Sequence, residues 1–254
     1  MSIKPWDPGT GPAQAPGPAA LFEWLRGRRT RRRTLPGAVL FDMDGLLVDS
    51  EPVWTVAESE LADRLGGVFT PQIKVAMIGQ RLEMAVPILL TMLDTPASLA
   101  ADPAVEGQWL LDRMTELFST ELPLQPGAEE LLDAVNGVGV PAALVSSSFR
   151  QLVDAVLVTL GAQRFVVTIA GDEVAESKPH PEPYLTAARR LGLPAWRCVV
   201  IEDSEAGARS AAAAGCPCVL VPTFPPTQDG PWTVVGDLRE VTVEGLGALA
   251  THGG

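Results

Sequence analysis

Short apolar segments, several of them followed by acidic or hydroxyl side chains, recur along this chain and alternate with segments of helical periodicity. The first, Ala38–Phe41, runs directly into Asp42-Met43-Asp44-Gly45. Continuous apolar runs of this length are typical of strands buried on both faces of a parallel sheet. The other predicted strands are Pro141–Val145, Phe165–Ala170, Cys198–Ile201 and Cys216–Val221, and the helices between them are Ala128–Val138, Phe149–Leu160, Pro181–Leu191 and Glu205–Ala214. This alternation predicts an α/β fold with a parallel sheet and helices on both faces.

One stretch between the first and second strands breaks the alternation. Residues 51–122 carry helical patterns throughout, with helices predicted at Pro52–Leu65, Thr70–Met77, Leu82–Met92 and Pro103–Ser119. The sequence therefore predicts an all-helical cap domain, inserted beside the strand end that bears Asp42, where it could act as a lid. The core would then comprise residues 37–50 and 123–254.

Charge divides the chain after Pro36. Residues 1–36 carry seven basic and two acidic side chains, whereas residues 37–254 carry twelve basic and twenty-nine acidic ones. An acidic body repels nucleic acid, so no nucleic-acid partner is expected for it. We interpret residues 1–36 as a flexible basic arm outside the fold, either a solvated tail or a weak contact for an anionic partner.

Composition excludes several classes of protein. No stretch approaches the ~18 apolar residues of a membrane-spanning helix, and no secretory signal is expected before Asp42. The chain has only two histidines, which argues against zinc sites and Ser-His-Asp triads. Its three cysteines are too few for a disulfide framework. We expect a cytoplasmic monomer.

Four acidic residues follow two of the predicted strands. Asp42 and Asp44 end the first strand, and Glu202 and Asp203 end the fourth. Because ligands bind beyond the carboxyl ends of parallel strands, these acids predict an oxygen-rich site suited to Mg²⁺. Simpler interpretations are a turn with solvated acids at Asp42 and Asp44, and capping of the next helix by Asp203 or Ser204.

Two further strand ends and loops carry groups that can bind phosphate. Ser146, Ser147 and Ser148 offer hydroxyl and amide groups where a strand leads into a helix. Lys178, one of three lysines in the chain, offers a mobile positive charge. The alternatives are a simple serine N-cap and an ordinary surface lysine.

Taken in order, these motifs resemble those of the haloacid dehalogenase superfamily. The matching residues are Phe41-Asp42-Met43-Asp44-Gly45, the strand end at Ser146, Lys178-Pro179, and Glu202-Asp203-Ser204-Glu205-Ala206-Gly207. They span residues 37–222. Within that superfamily, the segment from Asp44 to Pro52 resembles the branch of beta-phosphoglucomutases and sugar-phosphate phosphatases, such as 2-deoxyglucose-6-phosphatase.

This resemblance implies a Rossmann-like core and roles for individual residues. Asp42 would be the nucleophile and Asp44 the general acid/base. Mg²⁺ would be held by Asp42, the carbonyl of Asp44, Glu202 and Asp203, and phosphate by Ser146, Ser147 and Lys178. The expected activity is hydrolysis of a small phosphorylated metabolite, a sugar or polyol phosphate, through a phosphoaspartate.

Other activities in the superfamily fit the sequence less well. A phosphonatase needs a lysine in the cap, and the only one there, Lys74, has no supporting motif. Mutases of the branch usually carry a histidine where this chain has Trp54, so hydrolysis is favoured over phosphosugar mutation, which stays the alternative. A non-catalytic regulatory protein on the same fold is a third interpretation, although no motif acid is missing.

Gly79-Gln80-Arg81 resembles the substrate-specificity loop of the branch. Arg81 could reach a substrate hydroxyl or a second anionic group. The alternative is an arginine at a helix start that faces water.

Overall fold

The computed structural model describes residues 35–77, 80–120, 122–223 and 225–250. The predicted arm therefore lies outside the described residues except for Leu35 and Pro36, and so does Gly79 of the predicted specificity loop.

All strands in the described part of the chain belong to one sheet. They are β1 (Ala38–Phe41), β2 (Ala142–Val145), β3 (Val167–Ile169), β4 (Cys198–Glu202), β5 (Cys218–Leu220) and β6 (Thr233–Val234). They are ordered β3-β2-β1-β4-β5-β6, and every neighbouring pair is parallel. The predicted parallel α/β fold is confirmed.

Helices connect the strands and fill the long interval after β1. They are α1 (Glu51–Arg64), α2 (Pro71–Met77), α3 (Leu82–Leu93), α4 (Pro96–Ala100), α5 (Pro103–Thr120), α6 (Ala128–Gly137), α7 (Arg150–Leu160), α8 (Glu182–Leu191), α9 (Glu205–Ala214) and α10 (Val243–Leu249). Among the described residues, no helix is both long enough and apolar enough to cross a bilayer.

Strand β1 lies at the centre of the sheet, between β2 and β4. Phe41 pairs with Leu144 on one side and with Ile201 on the other. Strands β2 and β3 lie on one side of β1, and the later strands β4, β5 and β6 lie on the other. The strand order therefore reverses at β1, and ligands in open α/β sheets bind at the carboxyl end of the strands at such a switch point. The register brings the residues that follow β1, β2 and β4 to the same edge.

Alternate residues of β1 face two separate apolar clusters. Val39 and Phe41 pack into one cluster, and Ala38 and Leu40 pack into the other. All four are fully buried. A strand with this burial must be apolar on both faces, which is why its sequence shows no polar alternation before Asp42.

Helices α1–α5 form an insertion, residues 51–120, which we call the helical insertion. The chain segments that enter and leave it run side by side: the amide of Asp49 donates to the carbonyl of Pro123 at 2.8 Å, and that of Gln125 donates to Leu47 at 3.0 Å. Gln151 of α7 also contacts α5, donating to Asp112 at 2.9 Å and to Thr115 at 3.1 Å. The helical insertion is therefore anchored both at its root and across to the core.

The structure differs from the prediction in the extent of several elements. Strands β2, β3 and β5 are shorter than the apolar runs that predicted them. Three short elements, α4, β6 and α10, were not predicted. The Ser N-cap proposed for α7 is wrong, because Phe149 occupies the N-cap position, whereas Ser204 does cap α9 by accepting from Gly207 at 3.2 Å.

Candidate active site

Lys178 connects three strand ends at the carboxyl edge of the sheet. Its Nζ donates to Oδ1 of Asp42 at 2.5 Å, to Oε1 of Glu202 at 2.6 Å and to the carbonyl of Val145 at 2.9 Å. The side chain is only 6% exposed, so the interpretation of Lys178 as a surface lysine is wrong. A buried ammonium needs partners of this kind.

Glu202 lies at the base of this cluster and has no exposed surface. Besides Lys178, the hydroxyl of Tyr184 donates to its Oε1 at 2.5 Å. Its Oε2 accepts from the hydroxyl of Ser204 at 3.0 Å and from the amide of Asp203 at 3.2 Å. Both carboxylate oxygens are thus fixed by protein donors, which makes Glu202 a rigid support for the Lys178 ammonium.

Asp44 is held by two hydroxyl groups from the loop after β2. Its Oδ2 accepts from Ser146 at 3.1 Å and from Ser148 at 2.8 Å. Its Oδ1 is buried and has no hydrogen-bond partner among the described residues. Buried polar atoms are almost always paired, so an unpaired carboxylate oxygen here is consistent with a group that acts on a bound molecule.

Asp203 approaches the loop that follows Asp44. Its Oδ2 accepts from the hydroxyl of Thr223 at 2.9 Å. A Cβ placed on Gly45 would lie 2.1 Å from the same oxygen, and Gly45 has a φ of +80°. Only glycine satisfies both the space and the backbone conformation at this position.

Three carboxylates at this edge could hold a metal ion. One oxygen each from Asp42, Glu202 and Asp203 lie within 4.8 Å of one another. With Asp44 the cluster holds four carboxyl groups against one ammonium, an imbalance that a cation would relieve. Carboxylate oxygens are the ligands that Mg²⁺ prefers, so the residues present fit the predicted ion.

The pKa values of the cluster reflect the same crowding. Burial and then the charge of Glu202 raise the pKa of Asp42 well above its usual value. Burial and Glu202 likewise raise the pKa of Asp203 to about 7. Burial alone would lower the pKa of Lys178, but Asp42 and Glu202 raise it above its usual value. Lys178 therefore stays charged, while burial and the neighbouring negative charge oppose ionisation of Asp42 and Asp203.

The structure brings most of the predicted site residues together at one edge of the sheet. They are Asp42, Asp44, Ser146, Lys178, Glu202 and Asp203. Ser147 lies in the same loop and is exposed. Their catalytic, metal-binding and phosphate-binding roles stay predictions.

Gln80 and Arg81, the described residues of the predicted specificity loop, lie at the start of α3. Gln80 is exposed. Arg81 is 44% exposed on its side chain, and its Nε lies 3.7 Å from Oε2 of Glu83. Lys74, by contrast, is held by Glu51 at 2.7 Å and by Glu58 at 2.8 Å. An ammonium committed to two carboxylates is a poor candidate for the Schiff base of a phosphonatase.

Three contributors to the site were not predicted as such. Tyr184 and Thr223 lie in segments that carry no motif, and they were missed because a hydrogen bond across the fold leaves no local signal. Ser148 was named among the hydroxyls that can bind phosphate, and what was not predicted is its hydrogen bond to Asp44.

Comparisons with known proteins agree with this arrangement. Residues 36–215 match the family described as haloacid dehalogenase-like hydrolase. Phosphoglycolate phosphatase of Xanthomonas campestris is 34% identical over 185 residues, which are 72% of this chain and 82% of that protein. Hexitol phosphatase B of Escherichia coli is 30% identical over 204 residues, or 80% and 90% of the two chains.

A solved structure supports the same assignment. The crystal structure of CbbY from Rhodobacter sphaeroides in complex with phosphate superposes with a TM-score of 0.73 at 26% identity, covering 81% of this chain and 96% of that one. These relatives confirm the predicted family and fold, and they confirm the predicted class of enzyme, which is a haloacid dehalogenase-like phosphatase. A cytoplasmic location and a monomeric state stay predictions. By its matched residues and its relatives, the chain belongs to the haloacid dehalogenase-like hydrolases.

Proposed function

We propose that this protein is a Mg²⁺-dependent phosphatase that hydrolyses a small sugar or polyol phosphate through a phosphoaspartate on Asp42. The observation that carries the proposal is the contact of Lys178 with both Asp42 and Glu202, next to Asp203 and the hydroxyl-bound Asp44. Nucleophile, cation, acid/base and candidate metal ligands thus meet at one edge of the sheet.

Asp42 is the group we assign to attack phosphorus. Lys178 binds its Oδ1, which leaves Oδ2 for the attack. The same ammonium offers positive charge to the phosphoryl oxygens, and charge neutralisation is most of what phosphoryl transfer requires. Formation of a covalent phosphoaspartate divides a slow hydrolysis into two easier steps.

Asp44 is the group we assign to proton transfer. In the first step, it would give a proton to the alcohol oxygen that leaves phosphorus. In the second step, it would take a proton from the water that attacks the phosphoaspartate. Its unpartnered Oδ1 is the atom suited to both tasks, because Oδ2 is held by serine hydroxyls.

Asp42 and Asp203 are the residues we expect to hold Mg²⁺, with the carbonyl of Asp44. Glu202 stays a candidate ligand, although each of its oxygens already accepts hydrogen bonds from the protein. When bound, the ion would neutralise negative charge on the phosphate and on the acids around it.

Charge in the helical insertion favours a neutral leaving group. Residues 51–120 carry four basic and ten acidic side chains. Each of the basic ones faces a carboxylate: Arg64 pairs with Glu106, Lys74 with Glu51 and Glu58, Arg81 with Glu83, and Arg113 with Glu60 and Glu116. A carboxylate or second phosphate on the substrate would meet net negative charge there, whereas a polyol chain would not.

A cleft of about 340 Å³ in the helical insertion is consistent with this preference. It lies between α3 and α5, and its lining includes Phe149, the residue after Ser148. Its lining is mostly apolar, and Glu83 and Gln108 supply groups that can bind hydroxyls. We propose that the helical insertion acts as a cap whose cleft receives the alcohol part of the substrate.

The test is release of inorganic phosphate from a hexitol phosphate, from a glucose phosphate and from phosphoglycolate, each with and without Mg²⁺. We expect Mg²⁺-dependent release, with the highest kcat/KM for a neutral sugar or polyol phosphate. Conversion of beta-glucose 1-phosphate to glucose 6-phosphate faster than phosphate release would instead establish the mutase. No turnover of any substrate would favour a non-catalytic protein.

A further inference from the structure

Two serine hydroxyls bind the same oxygen of Asp44, but they cannot play the same part during a reaction. Ser146 and Ser148 both donate to Oδ2, at 3.1 and 2.8 Å. They reach it from 102 and 104 residues further along the chain, so the loop after β2, not the turn containing Asp44, fixes the orientation of the carboxylate.

Ser146 has no second proton to give. A hydroxyl group donates once, and the proton of Ser146 is directed at Asp44. Its oxygen also accepts from the amide of Ser148 at 2.9 Å. If Ser146 binds the phosphate as the proposed function expects, its proton must turn from Asp44 to a phosphoryl oxygen. Ser146 can therefore hold either the phosphate or Asp44, but not both.

Ser148 then remains as the donor that holds Asp44 in the loaded site. Its hydrogen bond is the shorter of the two. With Oδ2 fixed by Ser148, the carboxylate keeps Oδ1 free for the leaving oxygen, and Oδ1 is the atom without a partner among the described residues. An acid that is held in position transfers its proton more readily than one that samples several rotamers.

We infer that Ser148 is a positioning residue, which orients the proton-transferring carboxylate of Asp44 while the substrate occupies Ser146. This inference rests on the proposed function, because it assigns Asp44 the proton transfer. It differs from a phosphate-binding role, since Ser148 would act through Asp44 and not through the phosphoryl group.

The experiment compares Ser148→Ala with the wild type over a series of phosphate esters of rising leaving-group basicity, from p-nitrophenyl phosphate to an alkyl phosphate. A good leaving group needs little help from an acid, whereas an alkoxide needs much. We expect Ser148→Ala to lower kcat/KM about tenfold for the alkyl ester and less than about threefold for the aryl ester. Ser148→Thr, which keeps the hydroxyl, should restore most of the loss.

A double-mutant cycle separates positioning from simple damage. In an Asp44→Asn background, Ser148→Ala should cost almost nothing further in kcat/KM for the alkyl ester, the substrate on which it costs about tenfold in the wild-type background, because the group it orients has gone. Ser59→Ala removes one hydroxyl hydrogen bond within α1 and serves as the control, with no change expected at any leaving group.

Two results would overturn the inference while leaving the phosphatase intact. One is an equal loss across the whole series in Ser148→Ala, which would point to phosphate binding. The other is a full additional loss in the Asp44→Asn background. A wild-type protein without phosphatase activity towards any ester would overturn the proposed function itself, and the inference with it.

Discussion

Nζ of Lys178 lies 2.5 Å from Oδ1 of Asp42, although 136 residues separate them in the sequence. The contact joins two distant parts of the core sequence, since Asp42 follows β1 and Lys178 precedes α8. It places a buried positive charge against an acid whose pKa is raised by burial and by Glu202. Even with this ion pair, the cluster around it holds more negative than positive charge, because Glu202, Asp203 and Asp44 lie beside one ammonium.

Mg²⁺ should stabilise the folded protein by occupying this cluster. A ligand at ten times its dissociation constant adds about 1.4 kcal/mol to the free energy of unfolding, which is a rise in Tm of roughly 3–6 °C for a chain of this size. Differential scanning fluorimetry with increasing Mg²⁺ measures it. In Asp203→Asn the rise should shrink to near zero, and an equal rise in both proteins would place the ion elsewhere.

Without a divalent cation, stability should fall as the pH rises towards neutrality. The pKa of Asp203 is raised to about 7 by burial and by Glu202, so the folded state holds a proton that the unfolded state has already released. That stabilising proton is lost as the pH rises through about 7. The free energy of unfolding, measured by urea denaturation between about pH 5.5 and pH 8 in the presence of a chelator, should fall as the pH rises towards 7. Asp203→Asn should show a weaker pH dependence than the wild type; an unchanged dependence would contradict the assignment.

Gly45→Ala should damage the site far more than an ordinary glycine substitution. The new Cβ would lie 2.1 Å from Oδ2 of Asp203, at a φ of +80°. Gly66 is the matched control, because its φ is +73° and no atom lies within 4 Å of a Cβ there. We expect both variants to lose about 1 kcal/mol of stability from the backbone conformation, and only Gly45→Ala to lose Mg²⁺ affinity and turnover. Equal Mg²⁺ affinity in the two variants would argue against a close approach of Gly45 to Asp203.

Arg81→Ala should affect substrates according to how far they extend into the helical insertion. Its side chain is 44% exposed and only loosely paired with Glu83, so it can reach a substrate hydroxyl. We expect kcat/KM to fall several-fold for the best sugar phosphate and to change little for p-nitrophenyl phosphate, because remote binding energy is available only to substrates that reach it. Arg189→Ala, on α8, is the control. Equal losses for both substrates would place Arg81 in folding or in the core chemistry.

Much of this fold could be predicted because buried parallel strands carry an unmistakable local pattern. Ala38–Phe41 is apolar at every position since both of its faces are covered, and the acids that follow it mark the sheet edge. The short strand β6 could not be predicted, because Thr233 and Val234 are exposed and pair only through their backbone with β5.

Site residues that belong to a local sequence motif could be predicted. Residues that join the site only through a contact between distant parts of the fold could not. Asp42, Lys178 and Asp203 each stand in a recognisable local sequence. In the sequence, Tyr184 looks like an ordinary apolar residue on the buried face of a helix, yet its hydroxyl donates to Glu202. Thr223 lies in a loop after β5 and binds Asp203 across 20 residues. Such partners follow from the three-dimensional register of the strand ends, which periodicity does not encode.

The most direct test of the account is to find the phosphoryl group on the enzyme. The protein is quenched in acid during turnover of p-nitrophenyl phosphate with Mg²⁺, digested, and examined by mass spectrometry. We predict one added phosphoryl group on the peptide that contains Asp42, a larger amount in Asp44→Asn because the second step lacks its base, and none in Asp42→Asn, which should fold normally and keep less than about 1% of wild-type activity. Turnover in Asp42→Asn, or a phosphoryl group located instead on a serine of the loop after β2, would contradict the account.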